Sequence, residues 1–163
     1  MEEKSFISIA QTYLDRFPVF SQQLNEQVKK DLEICIVIPA FNEPDIERSL
    51  DSISNCDVPE FISVDVIIVV NHPEGSHPSI INQNKQTLAT IDSFRIKSNH
   101  HPFSFYTIYA CDLTKKHAGV GWARKIGMDE AMRRFMEVNK DGLICCFDAD
   151  AIVDSNYIIE LIN

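Results

Sequence analysis

Four short apolar runs, separated by stripes of helical period, constrain this chain more than any other feature. Residues 34–38 read Ile-Cys-Ile-Val-Ile, 64–70 are rich in β-branched side chains, and 103–111 and 143–147 complete the set. A strand apolar at successive positions has no face for water, so it belongs in a parallel sheet covered on both sides. Between the runs, Ile46, Leu50 and Ile53 form one buried stripe, residues 80–94 read as a second helix, and 119–138 as a third. In that third helix Ala123, Gly127, Ala131 and Phe135 recur every fourth position, and the small ones let it lie close on the sheet. The expected fold class is therefore α/β: an open parallel sheet with helices on both faces.

The first 30 residues read as a separate helical extension, and residues 31–163 as the α/β domain. Phe6, Ile9, Ala10, Tyr13, Leu14 and Phe17 make an amphipathic stripe that Pro18 breaks; Leu24 and Val28 hint at a second, more polar helix. Such a stripe is expected to pack on the domain. Local turn chemistry adds three expectations: Asn42 as a helix cap with Pro44 in its first turn, a loop from His72 to Pro78, and Ser155 as the cap of a last short helix.

Lys and Arg total 15 against 24 Asp and Glu, a formal charge of -9, which argues against a nucleic-acid partner. The five cysteines contain no Cys-x-x-Cys pair, and Cys35, Cys145 and Cys146 fall in runs read as buried strands, so reduced thiols are expected. No apolar stretch reaches bilayer length and no leader pattern opens the chain; the expectation is a cytoplasmic protein, at most peripheral to a membrane.

In an open parallel sheet, ligands sit beyond the carboxyl ends of the strands. This gathers residues 39–43, 71–75, 112–121 and 148–150 at one edge. Asp148 and Asp150 directly follow the fourth apolar run, where two carboxylates can turn toward a pocket. A hard divalent cation takes such oxygens together with substrate phosphates and water. Alone, Asp-x-Asp reads as an acidic turn that caps the next helix; its place after a fourth buried strand favours a site. Pro39 and Ala40 leave the backbone open to a flat ring, with Asn42 and Glu43 as polar neighbours. Arg124, in the first turn of the third helix, could face a phosphate or make a surface ion pair, whereas Trp122 reads as a packing residue. No glycine-rich phosphate cradle follows the first strand. His72, His77, His100, His101 and His117 show no ligand spacing.

Residues 36–43 (Ile-Val-Ile-Pro-Ala-Phe-Asn-Glu), 123–128 (Ala-Arg-Lys-Ile-Gly-Met) and 147–150 (Phe-Asp-Ala-Asp) resemble, in that order, the family 2 glycosyltransferases of GT-A fold, over roughly residues 34–163. The resemblance implies a Rossmann-like GT-A half and metal-assisted transfer of a sugar from a nucleoside-diphosphate donor to an acceptor hydroxyl on a glycan, lipid or small molecule. By position, Pro39, Ala40, Asn42, Glu43 and Asn71 would contact the nucleoside. Arg124 would reach the nucleotide, and Asp148 and Asp150 would hold donor and metal, Mn or Mg. Where the family often carries paired aspartates after the second strand, this chain has Asn71 and His72. The general base is expected downstream of Asn163, so the chain alone is expected to bind rather than turn over. Its fourth strand, expected to lack a neighbour, would invite self-association. The alternatives are a non-catalytic nucleotide-binding module and, less well matched, a phosphatase of haloacid dehalogenase type.

Overall fold

A computed structural model describes residues 5–98 and 101–163. His100 lies outside them. In chain order the elements are α1 (Phe6–Leu14), β1 (Leu32–Ala40), α2 (Ile46–Ser54), β2 (Ser63–Pro73), α3 (Pro78–Ser98) and β3 (Phe103–Leu113). A 3-10 turn (Lys115–His117), α4 (Val120–Glu137), β4 (Leu143–Cys146) and α5 (Tyr157–Ile162) follow.

All strand pairs are parallel, and the sheet order is β3-β2-β1-β4. The chain thus steps outward from β1 through β2 to β3, then returns to the other side of β1 to lay down β4. The reversal puts a topological switch point between the carboxyl ends of β1 and β4, where such sheets leave a crevice.

The period-two rule of strands assigns the two faces. Ile34, Ile36, Ile38, Val64, Val66, Ile68, Phe103 and Phe105 pack with Ile46, Leu50 and Ile53 of α2, Ile91 and Phe94 of α3, and Ile158 of α5. Cys35, Ile67, Val69, Tyr106 and Ile108 face Ala123, Ile126, Ala131 and Phe135 of α4. A Cβ on Gly127 would stand 2.4 Å from Cγ1 of Val37, so this helix approaches β1 as closely as the missing side chain permits.

Pro39 does not end β1 but lies within it, paired with Val69. The amide of Phe147 donates to the carbonyl of Val37 at 2.9 Å, so the backbone of Val37 points toward β4. Pro39, two residues on, points the same way, beyond the last β4 residue, Cys146. Its missing N–H therefore interrupts no ladder.

Several local expectations are corrected. Asn42 is not a helix cap: its φ is 54°, and α2 begins later, capped at Asp45, with Pro44 ahead of the helix. The last helix starts from Asn156, not Ser155. His72 belongs to β2, and the loop shortens to the turn before Pro78. No second helix forms around Leu24 and Val28, although both are buried against α4. The reason is competition for backbone donors. Glu130 accepts from the amides of Gln23 and Leu24 at 3.2 and 3.0 Å, and Asp129 accepts from that of Val19 at 2.9 Å, in place of a helical ladder. Cys145 is half-buried and Cys146 exposed, because β4 is a short edge strand; only Cys35 of those three is buried, and all five thiols are free.

The extension is held to α4. Ala10, Leu24 and Val28 are buried, Tyr13 Oη donates to Asp129 at 2.8 Å, and Arg134 Nη1 donates to the carbonyl of Glu26 at 3.2 Å. Beneath it, Arg134 Nε meets Asp65 of β2 at 2.7 Å, with the guanidinium 4.1 Å from the Tyr106 ring centroid. Among the described residues, no helix is long and apolar enough to cross a membrane.

Candidate functional site

At the carboxyl end of β1 the chain leaves the sheet through Phe41, Asn42 and Glu43. The left-handed φ of Asn42 turns it sharply, a conformation asparagine tolerates better than most residues. Two side chains of α3 fix this turn. Asn84 Oδ1 accepts from the Asn42 amide at 2.8 Å, and Thr87 Oγ1 donates to the Glu43 carbonyl at 2.6 Å.

The acidic turn after β4 is fixed from α2. The Ser49 hydroxyl lies 2.5 Å from the carbonyl oxygen of Ala149 and 2.6 Å from that of Ala151, one hydrogen shared between two acceptors. Ala149 is buried, while Asp148 and Asp150 on either side of it are exposed. Asp148 Oδ1 accepts from Arg124 Nη2 at 2.5 Å. Asp150 lies on the side of Glu43, whose carboxyl is raised above its ordinary value by burial first and then by the negative charge of Asp150.

Beside these groups lies a cavity of about 360 Å³, lined by Pro39, Ala40, Phe41, Asn71, Pro73, Lys115, Ala118, Gly119 and Val120. Phe41, one of the lining residues, remains 47% exposed. The cavity ends at the head of α4, whose N-cap position is Gly119 and therefore has no side-chain cap. A Cβ on Gly119 or Gly121 would meet nothing within 4 Å, so the space before this helix end is open. Uncapped amides there carry the positive end of the helix dipole.

The structure thus places Pro39, Ala40 and Asn71 on the cavity wall, whereas Asn42, Glu43, Arg124, Asp148 and Asp150 lie outside its lining, Arg124 paired with Asp148 and Glu43 within electrostatic reach of Asp150. His72 points elsewhere: its Nε2 lies 2.9 Å from Tyr109 Oη, and its Nδ1 lies 3.1 Å from the Pro73 carbonyl. Trp122 packs against His117 in a tilted arrangement, with ring centroids 4.2 Å apart and the planes at 56°. Among the described residues, no three His, Cys, Asp or Glu side chains converge as a ready-made metal cage. Asp148 and Asp150 fit a hard divalent ion only as part of a shell, with phosphate and water oxygens for the rest. The sequence reading missed Asn84, Thr87, Ser49 and Lys115. Asn84 and Thr87 did have a faint signal, as polar residues three apart on a predicted helix.

No known protein family pattern matches the sequence, and no curated protein matches it either. Among solved structures, the fold is similar to Staphylococcus aureus TarS, with a TM-score of 0.51 and 17% identity over 80% of this chain. The chain spans 19% of the length of TarS. This likeness concerns the fold: a four-stranded parallel sheet with helices, as in a Rossmann-like GT-A half, together with an N-terminal helix.

Proposed function

We propose that this chain forms the donor-binding part of a glycosyltransferase that moves a sugar from a nucleoside diphosphate to an acceptor hydroxyl. The observation that carries the reading is the acidic turn of Asp148 and Asp150. It stands at the switch point of the sheet, across from Asn42 and Glu43 and next to an apolar cavity. The GT-A-like sheet and the resemblance of residues 36–43, 123–128 and 147–150 to family 2 glycosyltransferases support it.

In this reading the base enters the cavity between Phe41 and the wall formed by Pro39, Ala40 and Asn71. The diphosphate lies before the open amides of α4. Arg124, which meets Asp148 at 2.5 Å, would exchange that partner for a phosphate oxygen. Asp148, once released, and Asp150 would hold Mn or Mg. The chemistry such an ion supplies is neutralisation of the charge that grows on the departing diphosphate. Glu43 and Asp150 repel each other less when that positive charge lies nearby. We assign the general base to none of these side chains; the acceptor is a glycan, lipid or small molecule. Self-association through the open side of β4, where Leu143 is 43% exposed, belongs to the same proposal.

Calorimetric titration of the chain with UDP and GDP, with and without Mn2+, tests the reading. The expected result is metal-dependent binding that weakens at least about tenfold, or about 1.4 kcal/mol, in Asp150→Ala. Binding that ignores both the metal and that substitution would refute it.

A further inference from the structure

Two buried asparagines join three separate walls of the cavity. Asn84, from the second turn of α3, is fully buried, and Asn71, at the end of β2, is 1% exposed. The amide N–H of Asn42 donates to Asn84 Oδ1 at 2.8 Å, and Asn84 Nδ2 donates to the Asn71 carbonyl at 3.0 Å. Asn71 Nδ2 in turn donates to the Ala118 carbonyl at 2.6 Å, at the entry to α4. The chain of bonds therefore runs from the β1 turn, through α3 and the β2 end, to the head of α4.

The polarity of this relay is fixed by its backbone partners. A backbone N–H can only donate, so the Asn84 atom facing Asn42 must be oxygen. Backbone carbonyls can only accept, so the atoms facing Asn71 O and Ala118 O must be nitrogen. Each side chain must accept at one end and donate at the other, or donate at its one buried contact. A primary amide does this; a carboxylate of the same shape cannot, because it has no hydrogen to donate when ionised. Neither bond closes a helix turn or extends a strand ladder. What the relay joins is the left-handed turn at Asn42, the cavity floor at Asn71 and the residue before Gly119.

We propose that Asn84 and Asn71 are positioning residues that lock the β1 turn, the β2 end and the α4 head into one preformed nucleoside pocket. This inference rests on the nucleoside reading of the cavity and deepens it. It also accounts for asparagine at position 71, where the family resemblance would place an aspartate: here the side chain is committed to the Ala118 carbonyl. Pre-organisation of this kind acts on affinity, because the free protein has already fixed the geometry that the ligand requires.

Asn84→Asp and Asn71→Asp preserve shape and replace the donated hydrogens with a charged, acceptor-only carboxylate, whereas Asn84→Leu and Asn71→Leu remove the same donors without adding charge. The single tryptophan, Trp122, lies in the first turn of α4 against His117, and its fluorescence serves to check that each variant is folded. Titration with UDP and GDP in the presence of Mn2+ is expected to show affinity reduced about tenfold in each variant, while Mn2+ alone binds as in the wild type. Thr87→Val, which removes a bond to the same turn outside the relay, is expected to show a smaller loss; Asn71→Leu, at the other end of the relay, keeps the test open if the Asn84 variants do not fold. Amide exchange at Asn42, expected to be slow in the wild type because Asn84 holds that N–H, should accelerate in Asn84→Leu. Wild-type affinity in folded Asn71→Asp and Asn84→Asp, or a gain in Asn71→Asp as the family pattern would have it, would overturn the relay while leaving the nucleoside reading intact. A wild-type chain that binds neither nucleotide removes both.

Discussion

The two ends of α4 treat charge in opposite ways. Toward its C-terminal half, Asp129, Glu130 and Arg134 are all but fully buried, and each is spent on the protein itself. Asp129 takes Tyr13, Lys125 and the Val19 amide; Glu130 takes two amides of the extension and Arg133; Arg134 takes Asp65 and the Glu26 carbonyl. At the N-terminal turn, Arg124 has a single carboxylate partner, Asp148, which is 61% exposed, and the helix end before it is uncapped. Buried charge must be paired internally or it destabilises the fold, whereas a partly exposed charge whose single partner faces solvent can change partners at less cost. One end of the helix is thus an anchor, and the other leaves its charge and its first amides facing solvent.

The sharpest way to break this contrast is at the anchor. Arg134→Ala strands Asp65 in the core and is expected to lower unfolding stability by about 3–5 kcal/mol in urea denaturation. The molecules that remain folded should keep their nucleotide affinity. Gly127→Ala, midway along the helix, drives a methyl into Val37 and is expected to cost about 1–3 kcal/mol in the same measurement. At the open end, Arg124→Ala should change stability by no more than about 0.5 kcal/mol. Calorimetry should nevertheless show weaker nucleotide binding and unchanged or tighter binding of Mn2+ alone, since Asp148 then has no competing cation. A large stability loss in Arg124→Ala would erase the distinction between the two ends.

Much of the architecture was legible because it depends on periodicity. The runs at 34–38 and 64–70 are β1 and β2, Ile46, Leu50 and Ile53 face the core, and Gly127 marks the close approach of α4, all from side-chain size and spacing. What failed depends on which group captures a backbone N–H. Leu24 and Val28 carry a helical spacing, yet carboxylates about a hundred residues away take the amides around them. Asn42 has the composition of a helix cap but instead occupies a left-handed turn, with its own amide bound by Asn84. Within the site, the segments that carry Asn42, Asn71, Arg124, Asp148 and Asp150 could be placed near one edge by topology alone. The residues that fix them, Asn84, Thr87 and Ser49, act across separations of 42, 44 and 100 residues, and no local pattern encodes such contacts.

The central claim is that the open end of α4, the cavity and the acidic turn form one donor site. Paramagnetic broadening of amide signals by Mn2+ in the presence of UDP or GDP tests it most directly. The account predicts broadening concentrated at Asn42, Glu43, Asn71, Gly119 to Gly121 and Asp148 to Asp150, strengthened by nucleotide and absent from α1. Broadening scattered over the acidic surface and indifferent to nucleotide would contradict it.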